Sequence, residues 1–192
     1  KAADGGNALA MSFISEMNWF GIGTEQDIKT GIDWLKKAAE AGHQPSQNIL
    51  SQIEKGNQSG IQELNQGKAF LNQNDYSSAE PLLTKSADLG NPEAMELLGK
   101  VYFDQKSPFK DNYIAYYWIW SAIGMGREEA LALLNQFDRV DIFTVRLGLM
   151  SSNDVGTLQE IFIDQYLKES NYPKALYWAQ RAANQGYDFG MF

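Results

Sequence analysis

Four glycines in this chain, Gly42, Gly90, Gly126 and Gly186, each close the same run of landmarks. Four residues before each lies a small residue (Ala38, Ser86, Ala122, Ala182) and eight before it a large apolar one (Trp34, Leu82, Trp118, Trp178). Eleven before it comes glycine or alanine (Gly31, Ala79, Ala115, Ala175), and fifteen before it an Asp or Asn (Asp27, Asp75, Asp111, Asn171). Columns that recur at fixed offsets are the mark of a repeat array, in which each unit buries its apolar face against its neighbours. The apolar positions inside each unit follow helical spacing, so the expected fold class is an all-α solenoid of helix pairs.

In chain order, Ala8 to Phe20 carries Leu9, Phe13, Met17 and Phe20 at three- and four-residue spacing, which predicts helix A of the first full unit with that stripe buried. Gly21 and Gly23 stop it, and Asp27 caps helix B, which keeps its apolar period through Ile28, Ile32, Leu35 and Ala39 and ends at Gly42. The next landmark glycine comes 48 residues later rather than 36, and the surplus predicts a short helix over 44–55 followed by a turn at GNQSG. The second pair is expected over 61–72 and about 75–89, with a kink rather than a break at Pro81. The third is expected over 92–104 and 111 to about 123. Extra helices follow at 128–136 and about 140–149, then a last pair at 156–169 and 173–185. Gly6 lies 36 residues before Gly42, with Ala2 in the column of Ala38. The first residues therefore read as the tail of a further unit. The whole of 1–192 is expected to be one helical-repeat domain, part of a longer array, with units at about 8–42, 60–90, 92–126 and 156–186 and irregular inserts at about 44–58 and 127–155.

Charge and composition remove several function classes. A net charge of -8 supplies no cationic surface to displace counterions from phosphates, which argues against a nucleic-acid partner and disfavours an anionic membrane face. With no cysteine there is no thiolate nucleophile, disulfide or thiolate metal site. No apolar run reaches the roughly 20 residues that a membrane-spanning helix needs.

GIGTEQDIKTGIDWLKKAAEAGH, with its G-x-G loop, Asp, A-x-x-W-like spacing and K-A-A-x-x-G ending, resembles the Sel-one-like repeats, a branch of the tetratricopeptide superfamily. MELLGKVYF with DNYIAYYWIWSAIGMG resembles them too, although KSPFK replaces the G-x-G loop. NQNDYSSAEPLL and KESNYPKALYW are closer to plain tetratricopeptide units. The resemblance implies a right-handed superhelix of antiparallel pairs, A helices lining a concave groove and B helices outside. It also implies a non-enzymatic adaptor for another protein or peptide, without cofactor, in a family whose bacterial members are often exported or at the cell envelope. The positions that the superfamily turns toward its groove are Glu16, Lys68, Lys100 and Asp164 in one column, and Trp19, Leu71, Phe103 and Leu167 in another. Their alternating charge does not reproduce a carboxylate clamp.

Other candidates have structural readings. His43 is the single histidine, and it lacks the oriented partner that a general base needs or the companions that a metal ligand needs. Asp27, Asp75 and Asp111 recur where helix B begins, which fits capping; Asn171 in the same column caps without supplying charge for a cation. Trp34, Trp118 and Trp178 recur at the core period and are expected to pack. A glycan-binding rival would use Trp19, Tyr116 and Trp120 as exposed sugar platforms. A hydrolase rival lacks a nucleophile and base pair.

Overall fold

The computed structural model describes residues 2, 3, 5–137 and 155–184. Contacts divide the chain into two compact units, Lys1–Leu134 and Asn135–Phe192. The first contains α1 (Ala8–Phe20), α2 (Ile28–Glu40), α3 (Gln44–Gln58), α4 (Ile61–Leu71), α5 (Tyr76–Asp88), α6 (Pro92–Phe103) and α7 (Asn112–Gly124). A single 3-10 turn, Glu128–Ala130, and the short α8, Leu131–Leu134, close it. The second unit contains α9 (Val155–Lys168) and α10 (Tyr172–Asn184). The fold is all-α, built from repeated helix pairs: α1 with α2, α4 with α5, α6 with α7, and α9 with α10, with α3 laid on α2 and α6 on α5.

The recurring columns have a common structural cause. In the first unit each second helix ends where a glycine takes the left-handed conformation open to a residue without Cβ, with φ of 91° at Gly42, 94° at Gly90 and 80° at Gly126. The Gly42 N–H donates to the Ala39 carbonyl and the His43 N–H to that of Ala38, and the same two bonds recur at Gly90–Asn91 and Gly126–Arg127. The loops inside the pairs also share a tie. The backbone N–H of the residue before helix B reaches back to a carbonyl near the end of helix A: Asp27 to Asn18 at 2.8 Å, Asp75 to Phe70 at 3.0 Å, Asp111 to Tyr102 at 2.8 Å and Asn171 to Tyr166 at 2.7 Å. Two loops are short, and both turn through a left-handed residue at the same place, Asn74 and Ser170, each with φ of 57°.

Small residues set how closely paired helices approach. A Cβ on Gly31 would stand 3.1 Å from the Ser15 carbonyl oxygen and the Trp19 nitrogen. One on Gly99 would stand 2.4 Å from Ile119 Cγ1, and one on Gly67 2.8 Å from Leu83. Larger side chains there would push the helices apart.

Several expectations need correction. The buried residues of α1 are Ser12, Ser15 and Trp19, whereas Leu9, Phe13 and Met17 are exposed. The small residues fit the close α1–α2 seam, with the Ser15 hydroxyl donating to the Gly31 carbonyl at 2.7 Å, and the large ones turn away from it. Helix α3 runs through Gly56 instead of stopping before it. That glycine is buried, and a Cβ on it would meet the Gly90 carbonyl oxygen at 2.4 Å, so it serves close approach rather than termination. In place of one helix over 128–136 there is the 3-10 turn and four residues of α8. By contrast, helix α5 runs unbroken through Pro81, in keeping with the expectation of a kink rather than a break. The helix expected at about 140–149 lies outside the described residues.

Candidate functional site

The recurring acids serve the backbone. The Asp27 carboxylate accepts the Thr30 N–H at 2.9 Å, Asp75 accepts that of Ser78 at 3.1 Å, and Asp111 accepts those of Tyr113 and Ile114 at 3.0 and 3.2 Å. The backbone and then the hydroxyl of Thr30 hold Asp27 below its ordinary carboxylate value, and the Ser78 hydroxyl and backbone do so for Asp75. Among the described residues, no group of three or more His, Cys, Asp or Glu could hold a metal ion. The His43 imidazole Nδ1 lies 2.8 Å from the Ser46 hydroxyl at the start of α3, a bond that fixes the turn.

The recurring tryptophans divide. Trp118 and Trp178 are fully buried, each with the preceding tyrosine set edge-on, at ring-centroid separations of 5.0 Å from Tyr117 and 5.3 Å from Tyr177. Trp34 is only half-buried, with the Lys37 ammonium 4.2 Å over its ring. The packing expectation therefore needs correction at Trp34. The aromatic platform proposed for a sugar is not exposed either: Trp19 and Tyr116 are buried, and Trp120 is half-buried and stacked on Tyr116 at 6.2 Å. The Trp19 indole N–H donates to the Ile123 carbonyl at 3.0 Å, which ties α1 to the end of α7.

In the first groove column, Glu16 and Lys100 are exposed on α1 and α6 and Lys68 is half-buried on α4. Lys68 donates to Glu93 at 2.6 Å and Lys100 to Glu96 at 2.5 Å. In the second column Leu71 and Phe103 are half-buried, while Trp19 lies within the core. In the second compact unit Asp164 and Leu167 are exposed on α9, with Asp164 accepting from Lys168.

One polar centre escaped the sequence reading. Glu96 is almost fully buried on α6 and joins two cations, Lys100 and Arg127, the latter at 2.7 Å. Burial pushes its carboxyl up, but the hydrogen bonds from Lys100 and Arg127 outweigh that and hold it below the ordinary 4.5. The signal was available: 84 residues earlier the column holds the small Ser12, so a carboxylate there demands cationic partners, and Lys100 stands four residues further along the same helix.

The Sel1 repeat model matches residues 8–43, 92–119 and 163–187. The chain is thus an all-α array of Sel1- and tetratricopeptide-like helix–turn–helix units. The first two matched stretches are the pairs α1/α2 and α6/α7, the two with longer loops. The third begins in α9 and extends the Sel1 likeness to a unit whose sequence resembled the plain tetratricopeptide type. No curated protein and no solved structure matches the chain. No helix among the described residues is long and apolar enough to cross a membrane.

Proposed function

We propose that this chain is a non-enzymatic member of the Sel1 repeat family that holds a peptide or a helix of another protein along its A helices. The observation that supports this reading is the use of the B helices and their caps for internal packing, while in the first unit one A-helix column keeps polar ends in solvent at Glu16 and Lys100. A stacked array is rigid, and rigidity lowers the ordering cost of capturing an extended segment. The lysines of that column are already held by Glu93 and Glu96, so they are poorly placed to clamp a free carboxylate and better suited to a partner of mixed charge. The lone histidine bonded to Ser46 and the capping duty of the acids leave a catalytic reading without a base and nucleophile pair.

The test is capture of binding partners by the immobilised chain from a lysate, run beside retention on insoluble cell wall. The expected result is a discrete protein partner whose affinity falls by about tenfold or more in a Glu16→Lys, Leu71→Asp variant with unchanged circular dichroism. Retention on wall material with no protein partner would overturn the proposal in favour of a glycan-binding module.

A further inference from the structure

Two helix faces, one in each compact unit, leave large apolar side chains in solvent. On α1, Leu9, Phe13 and Met17 are 53 %, 56 % and 41 % exposed and line up at four-residue steps. On α10, Tyr172 and Leu176 are 65 % and 58 % exposed, and the exposed Ala183 lies two turns further along the same side. Apolar faces of this kind mark places where another surface binds.

The junction between α5 and α6 shows what the two faces fit. Helix α6 repeats the register of α1 after 84 residues, so Leu97 and Val101 stand in the columns of Phe13 and Met17. Counted back from Gly90 and Gly186, Tyr76, Glu80 and Ala87 of α5 stand in the columns of Tyr172, Leu176 and Ala183 of α10. In the first unit these two sets of columns pack together. Val101 is 1 % exposed and Ala87 is buried, the Tyr76 hydroxyl donates to Asp104 at 2.5 Å, and the Tyr102 hydroxyl donates to Glu80 at 2.7 Å. Both carboxylates of that junction have apolar counterparts on the open faces: Phe20 of α1 stands in the column of Asp104, and Leu176 of α10 in that of Glu80. The faces of α1 and α10 therefore match each other, apolar against apolar, where α5 and α6 match through hydroxyl–carboxylate bonds. Charge favours the same pairing. Glu16 is the one charged residue of α1, whereas the charged residues of α10 are Lys174 and Arg181, with no acid among them.

We propose that the occupant is a second copy of this chain: the Tyr172–Leu176 face of α10 in one copy seats on the Leu9–Phe13–Met17 face of α1 in the next, in the register of the α5–α6 junction. The two surfaces differ, so the contact is head-to-tail, each added copy brings one unused face of each kind, and association continues from copy to copy. This inference is independent of the peptide-binding reading, because its seam is the outer stripe of α1 and its partner is not a foreign protein.

The experiment is sedimentation velocity on the purified chain across about 1–200 μM, with Phe13→Asp and Leu176→Asp as single variants whose folding is checked by circular dichroism. Both substitutions fall on exposed side chains, so the helices are expected to stay intact. The average mass of the parent is expected to rise with concentration beyond that of a dimer. Each variant alone should associate at least about tenfold more weakly. Mixed in equal amounts, they should form a dimer that grows no further, because Phe13→Asp keeps a sound α10 face and Leu176→Asp a sound α1 face. A parent that stays monomeric throughout overturns the proposal, and so does a mixture of the two variants that does not associate. Loss of association in Phe13→Asp with none in Leu176→Asp would assign the contact to α1 against α1 in a two-fold dimer, which also overturns it.

Discussion

The pairs α1/α2 and α6/α7 share a 36-residue spacing, the same cap positions and the same family match, yet equivalent residues in them have different fates. Trp118 is sealed in the core and Trp34 is half-open; Val101 is covered and Met17 is not. What separates Val101 from Met17 is the neighbouring helix. Helix α6 has α5 against it, whereas the corresponding side of α1 has no such helix among the described residues. A repeat sequence therefore specifies a surface, and its place in the array decides whether that surface becomes interior.

The tryptophan column provides the largest test of this comparison. Trp118→Ala should cost about 3–5 kcal/mol, the usual penalty for emptying a buried aromatic site, and Trp34→Ala about 1–2 kcal/mol, because its ring is already partly in solvent. Urea titration of the two variants would measure the gap, and equal losses would break the comparison.

A second contrast lies at Glu96, whose column in the first pair holds Ser12. Glu96→Gln should destabilise by about 2 kcal/mol, less than a fully buried pair because Lys100 and Arg127 keep part of their surface in water. The pH dependence follows from the depressed carboxyl. A group held below its unfolded value of 4.5 contributes above that pH and loses its contribution as pH falls through the lower folded value. The difference between parent and variant should thus shrink below about pH 4.5, and a difference that stays constant down to pH 3 would show that the charge is not its source.

The smallest expected effect separates the two seams. Gly99→Ala drives a methyl to 2.4 Å from Ile119 Cγ1, while Gly31→Ala meets its nearest atoms at 3.1 Å. After the helix-propensity gain of alanine, the first should lose about 1–2 kcal/mol and the second less than about 1 kcal/mol in thermal unfolding. The reverse order would mean that the α1–α2 seam is the more tightly fixed of the two.

Much of this architecture is legible in the sequence, because glycine stops and Asp caps act through the backbone within a few residues of themselves. Asp27, Asp75 and Asp111 could be assigned from position alone, and the helices of all four pairs fall within a residue or two of their expected bounds. What could not be read depends on distant partners. Periodicity identified an apolar stripe on α1 but not that Ser12, Ser15 and Trp19 would take the seam, since the choice is made by the glycine on the facing helix. Gly56 looked like a stop because nothing near it in sequence reveals the Gly90 carbonyl that needs its missing side chain. The candidate binding column was named from its register, and the carboxylates that hold its lysines come from α6, one of them 25 residues further along the chain.

The Trp19 indole bond to the Ile123 carbonyl joins residues 104 positions apart and skips the intervening α4/α5 pair. Arrays held only by adjacent contacts can fray one unit at a time, and their folding is quick because little loop entropy is lost in each step. A clasp between the first and third pairs changes that arithmetic. It makes the N-terminal unit open and close more nearly as a single cooperative body, with an indole at the fastening point whose fluorescence would report the event.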